Sequence, residues 1–151
     1  MSLFSLEGRT ALVTGAARGI GFSIATALGQ AGARLVLNGR SEEALDAAAS
    51  ALEAQDIAVA TSLFDVTDQK CVNAGVAAIE AEVGAIDILV NNAGIQRRAP
   101  LDSFDDNHWR ELMATNLDSV YYVSKAVAPH MIARGRGKII NIGSVQCELA
   151  R

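Results

Sequence analysis

The sequence is poor in the residues that build disulfide scaffolds and metal centres. It has two cysteines and two histidines among 151 residues, and neither pair has the spacing of a metal-ligand motif. No apolar run approaches the roughly 18 residues that a transmembrane helix needs. We therefore expect no metal site and no membrane span, with reduced thiols at Cys71 and Cys147.

Strong charge of one sign is missing as well. The formal net charge is -4, from 13 Lys and Arg against 17 Asp and Glu, and basic residues do not cluster. The composition therefore argues against nucleic acid as a partner. The amino-terminal residues lack the basic and apolar regions of a secretory signal peptide, so we expect a cytoplasmic protein.

Hydrophobic residues, in contrast, make up 50% of the chain, enough for the core of a single domain spanning residues 1–151. Apolar runs alternate with helical patterns. The predicted strands are 10–14, 34–38, 57–64, 87–91 and 138–142, and the predicted helices are 19–31, 41–55, 68–83 and 105–133. This alternation predicts an α/β fold, a Rossmann-type doubly wound parallel sheet in the strand order 3-2-1-4-5. Pro129 is expected to bend or break the last helix.

A glycine-rich turn joins the first strand to the first helix. Gly15, Gly19 and Gly21 have the spacing G-x-x-x-G-x-G. Backbone without a Cβ can approach a pyrophosphate closely, and a helix start offers free N–H groups and the positive end of its dipole. In this strand–turn–helix context the spacing predicts a dinucleotide cradle. Tight packing of the turn is the alternative reason for glycine here.

The end of the second strand bears on the choice of cofactor. A carboxylate about 20 residues past the glycines would bind the ribose 2′-hydroxyl of NAD. Gly39 takes that place, Arg40 follows it, and Arg18 lies inside the glycine turn. Two guanidinium groups without a carboxylate favour a 2′-phosphate, so NADP is the predicted cofactor and NAD the alternative. Two solvated surface arginines are the other interpretation.

Three further motifs follow in order. They are Asn91-Asn92-Ala93-Gly94, Asn116 within Met-Ala-Thr-Asn-Leu, and Ser144 after the last predicted strand. With the glycine turn, this series resembles the short-chain dehydrogenase/reductase family along the whole chain. The resemblance implies an enzyme that interconverts a carbonyl and an alcohol with a nicotinamide cofactor.

The resemblance also implies roles for residues that bind the cofactor. Ile20 would lie beneath it, Asp65 and Val66 would line the adenine, and Asn91 with Ala93 and Gly94 would flank the adenine ribose. Asn92 is expected to be a structural tie. For Asp65, capping of the next turn is the alternative interpretation.

Two residues are implied in catalysis. Asn116 would hold a water in a proton relay, and Ser144 would hydrogen-bond the substrate oxygen. An asparagine merely tolerated on a helix surface is the alternative for Asn116.

The family also uses a Tyr-x-x-x-Lys pair about 13 residues after that serine, where the tyrosine is the general acid/base. That position would lie beyond Arg151. We therefore expect the 151-residue chain to be inactive alone, with a sheet that is incomplete at its carboxyl-terminal side and an open, aggregation-prone edge at 138–142. Tyr121 and Lys125 match the motif but precede Ser144, and we expect Tyr121, Tyr122 and Val123 to serve core packing or a helix contact between subunits.

The substrate is predicted from weaker signals. The segments 37–41 and 144–151 resemble the gluconate 5-dehydrogenase branch of the family, and Arg97 and Arg98 could bind a sugar-acid carboxylate. A 3-oxoacyl-carrier-protein reductase is the rival enzyme, and a catalytically silent nucleotide-binding module is the rival of another class. A homo-oligomer, dimer or tetramer, is also expected from the resemblance.

Overall fold

The computed structural model describes residues 4–144, so the expectations placed on 145–151, including Cys147, lie outside the described residues. The strands are β1 (Thr10–Val13), β2 (Arg34–Gly39), β3 (Val59–Leu63), β4 (Ile86–Asn91) and β5 (Lys138–Asn141). The helices are α1 (Gly19–Gln30), α2 (Glu42–Glu53), α3 (Gln69–Ala78), α4 (Asp106–Met113) and α5 (Ser119–Ala133).

The strands form one parallel sheet in the order β3-β2-β1-β4-β5, which confirms the predicted Rossmann-type topology. Val13 at the end of β1 lies beside Leu37 of β2 and Val90 of β4. The carboxyl ends of the central strands therefore finish at nearly the same level. A ligand crevice is expected at this edge, between β1 and β4.

Both faces of the sheet are covered because its strands alternate between two apolar layers. Ala11 and Val13 pack in the layer that contains residues of α1 and α2. Leu12 points into the other layer, with residues of α3 and α5. Strands that are buried on both faces have largely apolar sequences, as β1, β2 and β4 do.

Side-chain caps fix the starts of three helices. The Asp68 carboxylate accepts hydrogen bonds from Lys70 N and Cys71 N at α3, and Asp105 accepts from Asn107 N and His108 N at α4. These backbone hydrogen bonds stabilise the charged carboxylates and lower the pKa of both aspartates. Ser41 caps α2 in the same way. The start of α1 has no side-chain cap.

The predicted helix over 105–133 is three helical segments. A π-helical turn, Ala114–Asp118, joins α4 to α5. Pro129 lies inside α5, which continues to Ala133, so the predicted break does not occur. Proline removes one backbone hydrogen bond near the end of a helix, and α5 keeps buried contacts on both sides of it through Val127 and Met131. Packing outweighs that loss.

The described part of the chain ends at an exposed strand. Within residues 4–144, β5 pairs with β4 on one side only, and all four of its residues are exposed. The open edge expected from the sequence is therefore present there. Over the same residues no helix is long and apolar enough to cross a membrane, and His, Cys, Asp and Glu do not gather in threes around a possible metal position.

Candidate active site

The glycine turn between β1 and α1 leaves the start of the helix without a side-chain cap. Gly15 and Gly19 have φ values of 62° and 59°, a left-handed conformation that other residues rarely adopt. Arg18, the residue before α1, is extended and makes no side-chain cap. The first N–H groups of a helix have no partner within it, and an anion is a natural partner.

Two glycines of the turn are required by close packing. A Cβ built on Gly15 would lie 2.9 Å from Ala93 Cα. One on Gly21 would overlap the Gly15 carbonyl oxygen and the Asn92 side-chain nitrogen. The turn is therefore held directly against the segment that follows β4, and the glycines serve packing as well as access.

Thr14 and Asn92 tie the ends of β1 and β4 together. The Thr14 hydroxyl accepts hydrogen bonds from Asn92 N and Ala93 N, each at 3.0 Å. The Asn92 side chain donates to Thr14 O at 3.0 Å and Gly15 O at 3.2 Å. The predicted structural role of Asn92 is confirmed. Thr14 was not predicted, because its partners lie nearly 80 positions away in the chain.

Asp65 and Arg40 meet at the β2–β3 side of this edge. Asp65 Oδ1 accepts from Thr67 N at 2.8 Å and Thr67 Oγ1 at 2.7 Å. Asp65 Oδ2 lies 3.9 Å from Arg40 Nη1, an exposed and therefore weak ion pair. The hydrogen bonds from Thr67 show Asp65 capping the turn, which is the alternative interpretation of this residue. The ion pair places Arg40 on the same side of the sheet edge as Asp65. Gly39 at the end of β2 offers no carboxylate.

The described residues line an open cavity of about 670 Å³ at the carboxyl edge of the sheet. Ten of the eleven predicted cofactor residues line it: Gly15, Arg18, Gly19, Ile20, Gly21, Arg40, Asp65, Val66, Ala93 and Gly94. Lining residues that the sequence did not indicate include Ala17, Asn38, Ser41 and Thr115. A volume of this size suits a drug-sized or nucleotide-sized ligand.

Asn91 is the predicted cofactor residue that does not line the cavity. It is 4% exposed, and its amide nitrogen donates to Ser124 Oγ at 3.0 Å and Asn141 Oδ1 at 2.9 Å. Its carbonyl accepts from Ile142 N. The structure places Asn91 as a buried link between β4, α5 and β5.

Asn116 lies on the π-helical turn and faces the loop after β4. Its Oδ1 accepts from Ile95 N at 2.8 Å, and its Nδ2 donates to Ile95 O at 2.9 Å. This pair of hydrogen bonds pins the loop, with Gly94 beside it, to the helix. Short π-helical segments recur at functional sites. The proposed role of Asn116 in a proton relay stays a prediction.

Ser144 follows β5 at the same edge of the sheet, and it is exposed. Asn141 of β5 pairs with Asn91 of β4, so the serine leaves the sheet next to the segment that carries Ala93 and Gly94. The structure does not include Ser144 or Asn116 among the residues that line the cavity. Their predicted catalytic roles therefore remain untested.

The two arginines after the turn differ in their partners. Arg97 Nη2 lies 3.0 Å from Glu111 Oε2 of α4, and Arg97 Nε donates to the same oxygen at 3.2 Å. Arg98 contacts a neutral side chain. When the Gln96 amide is turned so that its oxygen faces Arg98, that oxygen accepts a hydrogen bond from Arg98 Nη2 at 3.0 Å. Within residues 4–144 no carboxylate lies within 4.0 Å of Arg98. Among these residues its positive charge has no acidic partner.

Tyr121 and Lys125, the pair with the catalytic spacing, lie apart from the cavity. Lys125 Nζ lies 5.2 Å from the centre of the Tyr121 ring, which is exposed on α5. Tyr122 and Val123 pack against the α3–α5 layer. Core packing is confirmed for these two residues, whereas Tyr121 faces solvent in this chain.

Known proteins that resemble this chain belong to the family that the sequence motifs indicate. A family model described as "short chain dehydrogenase" matches residues 9–151. Gluconate 5-dehydrogenase of Gluconobacter oxydans is 60% identical over 99% of this chain and 58% of its own length. The 5-keto-D-gluconate 5-reductase of Escherichia coli K12 is 45% identical over 99% of this chain and 59% of its own.

A solved structure agrees in fold. The gluconate 5-dehydrogenase of Burkholderia cenocepacia J2315, in complex with NADP and tartrate, superposes with a TM-score of 0.93 at 55% identity and covers 98% of this chain. The chain spans 58% of that protein's length. The predicted family is therefore confirmed: the chain belongs to the short-chain dehydrogenases.

Proposed function

We propose that the cavity at the carboxyl edge of the sheet binds NADP(H). The observation that carries this proposal is the glycine turn, where the start of α1 is uncapped and a Cβ on Gly15 or Gly21 would collide with its neighbours. Such a turn fits a pyrophosphate. The lining arginines and the absence of a carboxylate at the end of β2 fit a 2′-phosphate.

Several lining residues then have a role in this proposal. The amides from Gly19 to Gly21 would hold the pyrophosphate, and Arg18 and Arg40 the 2′-phosphate. Asp65 and Val66 would border the adenine. NADPH supplies hydride when bound. NAD remains the alternative cofactor, and the NADP bound in the Burkholderia relative supports our order of preference.

For the parent reaction we propose the interconversion of a sugar-acid carbonyl and alcohol, of the gluconate/5-ketogluconate type. Two relatives, a gluconate 5-dehydrogenase at 60% identity and a 5-keto-D-gluconate 5-reductase at 45%, support this class. Arg98 supports it from the structure, because this arginine has no carboxylate within 4.0 Å among residues 4–144 and lies three positions after the cavity-lining Ile95. Arg97 is already paired with Glu111, so we assign the substrate carboxylate to Arg98.

Asn116 and Ser144 are proposed to serve the proton and the substrate oxygen. The chain has two tyrosines, and neither Tyr121 nor Tyr122 lines the cavity. General acid/base catalysis needs a proton donor within hydrogen-bond reach of the substrate oxygen. We therefore expect the 151-residue chain to bind NADPH without oxidising it.

The test combines binding with turnover. NADPH binding is measured by calorimetry, and NADPH oxidation is followed with 5-keto-D-gluconate and with a β-ketoacyl thioester. Binding without turnover supports the account of this chain. Oxidation with the thioester alone would favour a 3-oxoacyl-carrier-protein reductase. The absence of any NADPH binding would overturn the proposal.

Self-association is part of the same proposal. Trp109, Leu117 and Tyr121 are each more than half exposed along α4, the π-helical turn and α5. Large apolar side chains at such exposure commonly mark an interface. We propose a homo-oligomer, dimer or tetramer, and sedimentation velocity would show a single monomeric species if this is wrong.

A further inference from the structure

A second cleft lies at the opposite edge of the sheet, where the strands begin. We call it the basal cleft. It has a volume of about 500 Å³ and is lined by residues next to the amino ends of all five strands, among them Gly8, Ala33, Ala58, Ala85 and Arg136. Parallel strands rise about 3.3 Å per residue, so β1 alone separates it from the glycine turn by roughly 13 Å.

Three arginines converge on the basal cleft. Arg9 precedes β1, Arg34 begins β2, and Arg136 precedes β5. Residues so far apart in the chain meet because every strand of a parallel sheet starts at this edge. The acidic residues that line the cleft are Asp56 and Asp87. The lining charge is therefore positive by one unit.

A buried carboxylate positions two of these arginines. The Asp87 side chain is 8% exposed, and its Oδ1 lies 3.3 Å from Arg9 Nη1 and 3.2 Å from Arg136 Nε. Its Oδ2 accepts from Thr10 N at 3.2 Å. One carboxylate thus serves two guanidinium groups, which leaves a net positive charge around it. It also fixes their positions, which lowers the entropy cost of binding a ligand.

Arg34 is fixed by a neutral partner. Its Nη1 donates to Val83 O at 2.9 Å, and within residues 4–144 no carboxylate lies within 4.0 Å of it. A guanidinium carries five N–H donors. Apart from the contacts with Asp87 and Val83, the side-chain donors of Arg9, Arg34 and Arg136 have no partner in the part of the chain that the structure describes.

We propose that the basal cleft binds a small, multiply charged oxyanion through Arg9, Arg34 and Arg136. Guanidinium groups match phosphate and carboxylate oxygens in a fork geometry. Glycine and alanine supply much of the rest of the lining and leave the space open. This site is separate from the cavity that we assign to NADP(H), and it does not depend on the proposed oxidoreductase function.

The test is a titration of the 151-residue chain with inorganic phosphate, followed by the amide resonances of its glycines at constant ionic strength. Gly8, Gly32 and Gly84 report on the basal cleft, and Gly15, Gly19 and Gly21 on the glycine turn. The two groups separate a basal ion from phosphate bound at the cofactor cavity. Citrate, titrated in parallel, distinguishes a carboxylate from a phosphate ligand.

We expect saturable shifts at the basal glycines that persist in Arg40→Gln, the matched control at the other edge. Arg34→Gln should weaken the basal dissociation constant at least about tenfold, while Arg34→Lys retains part of the affinity. Arg34 is exposed and contacts a single carbonyl, so neither variant should unfold. Shifts confined to the glycine turn, shifts that do not saturate, or equal affinity in Arg34→Gln would each overturn the proposal.

Discussion

The hydroxyl of Thr14 is the group whose removal tests the site's architecture most sharply. Thr14 is 2% exposed, and its Oγ1 is the acceptor for the amides of Asn92 and Ala93. Thr14→Val keeps the volume and removes the acceptor. Each amide left without a partner costs about 1–3 kcal/mol, and the lower end applies because both residues are partly exposed. We expect a loss of about 2 kcal/mol.

Urea unfolding of the 151-residue chain measures this loss. With a slope of about 2 kcal/mol/M, the midpoint should fall by about 1 M. Thr14→Ser is the matched control, since it keeps the hydroxyl and loses one methyl group, worth about 0.8 kcal/mol. NADPH affinity should fall in the valine variant alone, because the Gly15 turn rests on this tie. A valine variant as stable as the parent, or less affected than serine, would refute the reasoning.

Three further predictions concern the turn, the caps and a partly buried ion pair. Gly21→Val should abolish NADPH binding in calorimetry, because its side chain would collide with Gly15 O, whereas Gly143→Ala, with open space at its Cβ, should bind normally. The pKa of Asp105 and of Asp68 is lowered in the folded chain, so these carboxylates contribute their full stabilisation above the ordinary aspartate range. That stabilisation is lost as the pH falls from about 4 through the folded pKa values. The loss of stability in acid, followed by circular dichroism, should therefore be smaller in Asp105→Asn, and an equal loss would contradict this. Glu80→Ala should cost about 2 kcal/mol in urea unfolding, because it strips Arg134 Nη1 of a carboxylate at 2.7 Å, while the exposed Glu82→Ala should be nearly neutral.

The fold was predictable because its signals are local. Apolar runs, the capping residues Ser41 and Asp68, and the glycine turn each lie within a few residues of the element that they define. The alternation of strands and helices then restricts the topology to the order that the structure shows. The cavity followed from the same logic, since the carboxyl ends of parallel strands meet at one edge.

What the sequence did not indicate depends on contacts between distant residues. Asn91 is drawn into the interior by Ser124 and Asn141. Arg97 is paired with Glu111, 14 positions away. The continuation of α5 past Pro129 depends on burial of Met131, which local propensity does not encode. In each case tertiary packing decides between alternatives that are locally equivalent.

The preference for a 2′-phosphate is the central claim about the cavity, and one pair of dissociation constants tests it. NADPH and NADH are titrated by calorimetry against the 151-residue chain and its Arg40→Gln variant. The account predicts that the chain binds NADPH at least about tenfold tighter than NADH, and that the variant, which keeps only Arg18 for the 2′-phosphate, loses most of this difference while its affinity for NADH is unchanged. Tighter binding of NADH by the parent chain, or an unaltered NADPH affinity in the variant, would contradict it.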